Sequence, residues 1–381
     1  MVITKTENIL RIINIGDIHF RKEKANILYK ELNEIFIKYI KEHKDEIDVI
    51  NILGDLFDEE ISMNKDTSKY IYNFINRLVN ICKINNIKLR IIRGTRSHDL
   101  NQLENFNYFK TMKNLDFKII NTVEVEEIFD SINVLYLPEE YMEDQKEFYQ
   151  PYFEGLVDGA KYDFIFGHGT FDVVAFANQI SESERTIKNA PVYNFEEYKE
   201  YVYGPIIFGH IHPYQNFKDK LYYTGSFSRW AHGENLSKGF LDLTYDCETL
   251  EYTVKRVINT LAPEYISLTL NEVKGKTIEE KLKEIDRLSK DKFVKIIANE
   301  SSLDNNIIKE SLNLVNNDKV KLNLVNKELL DKEEDEEYMF IVKREYDIPT
   351  TIQKFIQLNM GKTVKKSDIE DILNEIDSDD D

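Results

Sequence analysis

Five stretches of the chain share one pattern: an apolar, β-branched run that stops at glycine, followed at once or shortly by aspartate or histidine. They are Ile12-Ile13-Asn14-Ile15-Gly16-Asp17, Val49-Ile50-Asn51-Ile52-Leu53-Gly54-Asp55, Ile91-Ile92-Arg93-Gly94 leading to His98, Phe164-Ile165-Phe166-Gly167-His168, and Ile206-Ile207-Phe208-Gly209-His210. Short apolar runs bounded by glycine predict buried strands. Between the early ones, Leu28, Leu32, Phe36 and Ile40, then Tyr70, Phe74, Leu78 and Ile81, recur at helical spacing. Strands alternating with helices predict a layered α/β domain. In such sheets ligands sit beyond the carboxyl ends of the strands. Each of these polar residues falls there, so the set can converge in one cleft.

The pattern changes after about residue 260. Tyr265 to Leu270, Phe293 to Ile297 and Val320 to Val325 predict strands, and Asp304 to Val315 predicts a helix. Another helix is predicted behind the capping box Thr277 to Glu280, with Ile278, Leu282, Ile285 and Leu288 on one face. The order implies a small α+β domain, closed by the acidic stretch Glu333 to Glu337 and the strand-like Tyr338 to Val342. Beyond Pro349, Ile352, Phe355, Ile356 and Met360 form one apolar stripe. Ile369, Ile372, Leu373 and Ile376 form a second, behind the capping box Ser367 to Glu370. These stripes either dock a partner in a groove or pack on their own domain. The expected divisions are 1–258, a catalytic domain; 259–345, the α+β domain; and 346–381, an amphipathic, acidic tail.

Composition narrows the function. The 381 residues include 22 Phe and 22 Tyr, enough for a substantial core. No apolar run approaches the roughly 18 residues of a membrane span, and no secretory apolar region opens the chain. Cys82 and Cys247 form no CxxC pair, so neither a disulfide framework nor a thiolate metal site is expected, and a cytoplasmic setting fits. A net charge of −19 counts against a polyanion as ligand, because nucleic-acid binders present basic faces. Much of the acid lies late, in Glu333 to Glu337 and Asp377 to Asp381, away from the histidines.

Five of the seven histidines lie in the strand-end motifs, with His43 and His232 the exceptions. In order the motifs are Asp17-x-His19, Gly54-Asp55-x-x-Asp58, Gly94 to His98-Asp99, Gly167-His168, and Gly209-His210-x-His212. One such histidine alone is usually a core or surface residue. Five motifs behind five apolar strands point to a metal centre, and mixed carboxylate and imidazole donors suit Mn²⁺, Fe or Zn²⁺. The segment Ser226 to Glu234 holds Arg229 and Trp230, which either touch a nucleic acid or form a structural turn with Trp230 in the core. His43 fits a solvated helix end.

These motifs resemble the five signature blocks of the calcineurin-like metallophosphoesterases, from Asp17 to His212, in a similar region that runs to about residue 255. The closing Gly-His-Ile-His-Pro-Tyr-Gln, with Tyr222-Tyr223-Thr224-Gly225-Ser226 after it, resembles the SbcD-type DNA exonuclease branch. The Lys/Asn/Ile-rich composition is compatible with a phage-encoded subunit, which would act in the host cytoplasm. The resemblance implies a layered β-sandwich flanked by helices, a small capping domain and a helical C-terminal tail. It further implies two divalent ions, Mn²⁺ first and otherwise Mg²⁺, Fe or Zn²⁺. One ion would take Asp17, His19, Asp55 and His212; the second would share Asp55 and add His168 and His210. His98 matches the histidine that protonates the leaving oxygen, and Asp58 the carboxylate that orients it. The implied partners are DNA, an SbcC-type coiled-coil ABC ATPase and a second copy of the chain, with no membrane. Two other readings remain: a phosphatase or phosphodiesterase on non-DNA substrates, and a weakly active scaffold subunit. One departure stands out. The family pattern is Gly-Asn-His, with the asparagine on the second ion, whereas this chain has Gly94-Thr95-Arg96-Ser97-His98. Ser97 offers a hydroxyl, and Arg96 is either a bidentate phosphate contact or a surface arginine. Weaker or more Mn²⁺-dependent binding of the second ion is therefore expected.

Overall fold

A computed structural model describes residues 8–22, 24–61, 66–99, 101–129, 131–154, 156, 160–175, 190–234, 236–269, 272–299 and 319–325. The chain divides into two compact units, and the features below lie in the larger, Met1–Ala298 with Asn306–Asn323, apart from strand-end residues Asn299, Leu324 and Val325. The helix expected over Asp304 to Val315, the strand over Tyr338 to Val342 and both C-terminal stripes fall outside the described residues.

In chain order the strands are β1 (Ile9–Ile15), β2 (Val49–Leu53), β3 (Lys88–Ile92), β4 (Phe117–Ile120), β5 (Glu124–Phe129), β6 (Ile132–Leu137) and β7 (Phe164–His168). Then come the short β8 (Thr170–Phe171) and β9 (Val192–Tyr193), followed by β10 (Ile206–Gly209), β11 (Gln215–Phe217) and β12 (Leu221–Tyr223). The last are β13 (Gly239–Asp246), β14 (Tyr252–Ile258), β15 (Glu264–Thr269), β16 (Lys292–Asn299) and β17 (Val320–Val325). One six-stranded sheet runs β14-β13-β1-β2-β3-β4 and a second runs β11-β12-β10-β7-β6-β5. Within the first, β1 to β4 are parallel; within the second, β6, β7, β10 and β12 are parallel.

Alternation along the strands shows how the layers stack. Ile12, Val49 and Ile92 of the first sheet share a cluster with Val134, Phe164, Phe166 and Ile207 of the second. Ile13, Ile15, Ile50, Ile52 and Ile91 turn the other way, onto Leu28, Leu32, Phe36, Phe74 and Leu78 of the flanking helices. Leu135, Ile165 and Phe208 likewise face Tyr149, Phe153 and Tyr198. The apolar runs are continuous because both faces are buried, as expected where helices cover a parallel sheet. The result is an α/β/β/α sandwich. Its buried polar pair, Asn51 donating to Asn14 at 2.9 Å, joins register partners on β1 and β2.

The smaller sheet runs β15-β16-β17, with β15 and β16 parallel. The helix Ile278–Ser289 connects them behind the expected capping box: the Thr277 hydroxyl accepts from the Glu280 N–H, and the Glu280 carboxylate accepts from the Thr277 N–H. Val273, Ile285, Val294 and Ile296 form its core. Among the described residues, no helix is long and apolar enough to cross a membrane.

Candidate metal centre

Parallel strands from both sheets end at one rim. The loop after β1 lies along the loop after β2, fixed by the Asp17 N–H to Gly54 O (3.2 Å) and the His19 N–H to Asp55 O (2.9 Å). Gly54 has φ +77°, and a Cβ there would overlap the His168 ring. Four non-glycine residues at the rim also hold positive φ: Asp17 (50°), His19 (52°), Asp55 (50°) and His210 (93°). Such conformations cost about 1–3 kcal/mol each and persist where the surroundings over-determine them, commonly at functional sites.

These turns bring the predicted side chains together. Three groups place one ligand atom per residue within 4.8 Å of the others: Asp17, His19 and His212; His19, Asp55 and His98; and Asp55, His168 and His210. Asp55 appears in two of them. Its Oδ2 lies 3.4 Å from His168 Nε2 and 3.7 Å from His19 Nε2. His168 Nδ1 is 2.9 Å from the Leu53 carbonyl, a contact that places the proton on Nδ1 and frees Nε2 as a donor atom. Asp17 accepts the His210 N–H at 2.9 and 3.1 Å.

The donor set fits two divalent cations. His19 Nε2 and His212 Nε2 face each other at 2.9 Å. Two imidazole lone pairs repel at that distance unless a proton or a cation lies between them. Ligands about 2.0–2.2 Å from one ion stand roughly 2.8–3.6 Å apart, from octahedral to tetrahedral angles, a range that takes in this 2.9 Å and the 3.4 Å from Asp55 Oδ2 to His168 Nε2. Electrostatics agree. Burial, then the charge of His168, holds His210 down to about 3, and burial, then His19 and Lys238, keeps His212 well below the usual histidine range. Both are neutral and able to ligate. Burial opposes protonation of His168, yet Asp55, Asp17 and Glu139 outweigh it and raise its pKa to about 10. Burial raises the Asp17 carboxyl, helped by Asp55, while His168 and His98 overcome burial to hold Asp55 well below the carboxylate range. In the absence of a cation the site thus favours protons on His168 and Asp17.

His98 sits on this centre, with Nδ1 2.9 Å from Asp55 Oδ2. Burial lowers its pKa, but Asp55, Asp58 and Asp99 raise it above the usual value, favouring the imidazolium. Asp58 Oδ1 lies 3.2 Å from His19 Nδ1 and 2.9 Å from Arg21, and its charge also acts on His98. The connection after Gly94 is longer than in the family pattern. It closes as a short helical turn, Arg96–Asp99, with the His98 and Asp99 N–H groups on Thr95 O, and delivers His98 to Asp55. Ser97 is exposed, whereas the hydroxyl of Thr95 is buried, 3.3 Å from both Asp55 Oδ2 and His168 Nε2. Arg96 is also exposed, its guanidinium over the Tyr141 ring at 5.6 Å from the centroid. Trp230 is a buried core residue beneath Arg21, 4.4 Å from guanidinium carbon to ring centroid, and Arg229 donates to Ala262 O. His43 ends the helix Lys38–His43 beside Arg11.

Two further carboxylates had no role in the sequence reading. Asp99 accepts the N–H groups of Gly94 (2.7 Å), Asp55 (3.1 Å) and Phe57 (3.2 Å), stapling two ligand loops. Burial, then Asp55, pushes its pKa up to about 6. Its place after His98 was the available signal. Glu139, just past β6, is 1% exposed, and its Oε2 has no hydrogen-bond partner. The run before it ends in proline rather than glycine and so escaped the strand-end pattern.

The sequence matches the family model "Calcineurin-like phosphoesterase" over residues 10–214. No curated protein matches the chain. Among solved structures, "GAP50 the anchor in the inner membrane complex of Plasmodium" is 15% identical, covering 67% of this chain and 86% of its own, with a TM-score of 0.39. Another, at 10% identity and a TM-score of 0.34, covers 65% of this chain and 99% of its own. Likenesses this distant carry no weight; the family match spans more than half of the 381 residues and takes in every block of the metal rim. On that match, the chain belongs to the calcineurin-like phosphoesterases.

Proposed function

We propose that this phosphoester hydrolase is the nuclease subunit of a DNA-processing complex of the SbcD type. The carrying observation is the pair of ligand groups, Asp17/His19/His212 and Asp55/His168/His210, with Asp55 close enough to serve both. The DNA assignment draws support from the sequence Gly209 to Gln215 with Tyr222 to Ser226, and from the elements after residue 255, which a compact phosphatase does not need. The net charge of −19 favours the alternative, a phosphatase or phosphodiesterase on non-DNA substrates. A basic surface on an SbcC-type ATPase partner offsets it in our reading, in a cytoplasmic complex built on a homodimer of this chain.

Two divalent cations, Mn²⁺ in our reading, would be held by Asp17, His19, Asp55 and His212 and by Asp55, His168 and His210; bound there, they supply Lewis acidity to phosphate oxygens and lower the pKa of water from 15.7 to roughly 7. The protein does the rest. The rim turns fix the ligands, and burial excludes competing water. His98, protonated and held through Nδ1 by Asp55, presents Nε2 as the general acid for the departing sugar oxygen, whose alkoxide is a poor leaving group. Asp58, clamped by Arg21, orients His19 through Nδ1.

The test is hydrolysis of linear duplex and single-stranded DNA with Mn²⁺, with and without the partner ATPase, beside an aryl phosphodiester and a phosphopeptide. The proposal expects DNA cleavage that falls at least about 100-fold in Asp55→Asn and in His98→Ala. Cleavage of the phosphopeptide alone would favour the alternative. No hydrolysis by protein with ions bound would favour a scaffold.

A further inference from the structure

Lysine is almost never fully buried unless it is paired. Lys238 is 2% exposed, and no step of the proposed reaction uses it. An ammonium has three N–H donors, and here an oxygen lies near for each. Nζ is 2.6 Å from Glu234 Oε2, 2.7 Å from Ser226 Oγ and 3.3 Å from the His212 carbonyl. Two of those oxygens belong to groups fixed from elsewhere. Glu234 Oε1 accepts the N–H groups of Trp230 (3.3 Å) and Ala231 (3.1 Å), and the Ser226 hydroxyl donates to Ser228 O at 3.0 Å. The third belongs to a ligand residue, whose carbonyl also accepts the Ser226 N–H at 2.9 Å. Gly225, at φ +68°, makes this approach possible: a Cβ there would stand 2.9 Å from His212 O and 2.8 Å from Tyr214 N. On its other side the same segment reaches the loop after β1. Ser226 bridges to Gly16, and the Phe227 N–H donates to Asp17 O at 3.4 Å. Ser226 and Phe227 thus lie between Asp17 and His212, two members of one ligand group.

We propose that Lys238, held by Glu234, is a positioning residue for the ion bound by Asp17, His19 and His212. Its ammonium locks the Ser226 segment to the His212 backbone and so sets the gap between Asp17 and His212. An ion pair this deeply buried adds little net stability, because desolvation offsets the attraction. What it supplies here is placement, and loss of a group that orients a metal ligand typically costs 10- to 100-fold in affinity. Glu234 has a second part, since an unbalanced ammonium behind His212 would repel a dication. The device is also local. Among the described residues, the hydrogen bonds and ion pairs of Lys238 and Glu234 involve none of Asp55, His168 and His210.

This inference rests on the two-ion reading, and the experiment separates the two. Mn²⁺ binding is titrated calorimetrically in wild type, Glu234→Gln and Lys238→Met/Glu234→Gln, the double variant leaving no unpaired buried charge. Each is repeated in His168→Ala and His212→Ala backgrounds. Glu234→Gln is isosteric: its oxygen keeps the Trp230 and Ala231 N–H groups while its NH₂ faces Lys238 and displaces the ammonium. Both variants should weaken one ion roughly 10- to 100-fold and leave the other within about twofold, which also certifies the fold. The loss should persist in His168→Ala and shrink to about twofold or less in His212→Ala, where the ligand through which Lys238 acts is already gone. A merely structural pair would lower stability in urea with both affinities unaltered, or weaken both ions alike in every background; either result would overturn the proposal. Should the double variant fail to fold, Glu234→Gln alone decides by the same criteria. Wild type binding a single ion would overturn the two-ion reading, and the two backgrounds would still decide for or against Lys238.

Discussion

Asp99 gives the sharpest prediction about how the rim is held. Its carboxylate is the acceptor for three N–H groups on two ligand loops, those of Gly94, Asp55 and Phe57. Asp99→Ala leaves these donors without that acceptor, and a buried donor left unsatisfied costs about 1–3 kcal/mol. Allowing for relaxation and some water entry, the loss should be about 3–6 kcal/mol, against a total stability of about 5–15 kcal/mol for typical proteins. Asp99→Asn retains one oxygen. Placed toward Gly94 and Asp55, that oxygen leaves an NH₂ facing the Phe57 N–H, so the cost should be about 1–3 kcal/mol. Urea unfolding of metal-free protein near pH 8, followed by the fluorescence of Trp230, the single tryptophan, reads both. Trp230 shares the core cluster of Phe57 and so reports on that side of the sandwich. An Asp99→Ala protein within about 1 kcal/mol of wild type would refute the staple.

Glu31 is 3% exposed, and burial, opposed by Ser228 and Asn259, pushes its pKa up to about 7 from 4.5. A raised acid penalises folding only when ionised: the penalty is absent below about pH 4.5, builds as pH rises through 7, and reaches about 3 kcal/mol above it. Glu31→Gln should therefore gain on wild type in melting temperature near pH 8 and converge with it near pH 4.5; a pH-independent difference would contradict this. Gly54→Ala combines a positive φ with a Cβ that meets His168, and should weaken Mn²⁺ binding at least about tenfold by calorimetry, with unaltered binding as the contrary result. Mn²⁺ at about 100 times its dissociation constant should stabilise the protein by about 2.7 kcal/mol per ion, a rise in melting temperature that EDTA abolishes; no shift would count against resident ions.

The residues gathered at the rim were legible because they follow the strand grammar. A run buried on both faces must end where backbone meets solvent, so Asp17, Asp55, His168 and His210 mark strand ends without any knowledge of tertiary contacts. The same logic anticipated the helix behind Thr277, a local capping signal. What stayed hidden depends on contacts across the fold. Buried Glu139 follows a run that ends in proline, and the turn that buries Thr95 while exposing Ser97 is set by where β3 ends. The resemblance pairs Asp58 with His98, and nothing in the local sequence shows that Arg21 and His19, from the loop after β1, also lie against it. The outer strands β5 and β14 gave weak signals because one face is partly exposed and their apolar positions alternate with polar ones.

Electron paramagnetic resonance of Mn²⁺ added stepwise to the metal-free protein tests the shared centre most directly. A carboxylate bridging two ions couples their spins. The signal of the second equivalent should be that of an exchange-coupled pair, and Asp55→Asn should abolish the coupling. Two magnetically independent ions at saturation, or a coupled pair that survives Asp55→Asn, would contradict it.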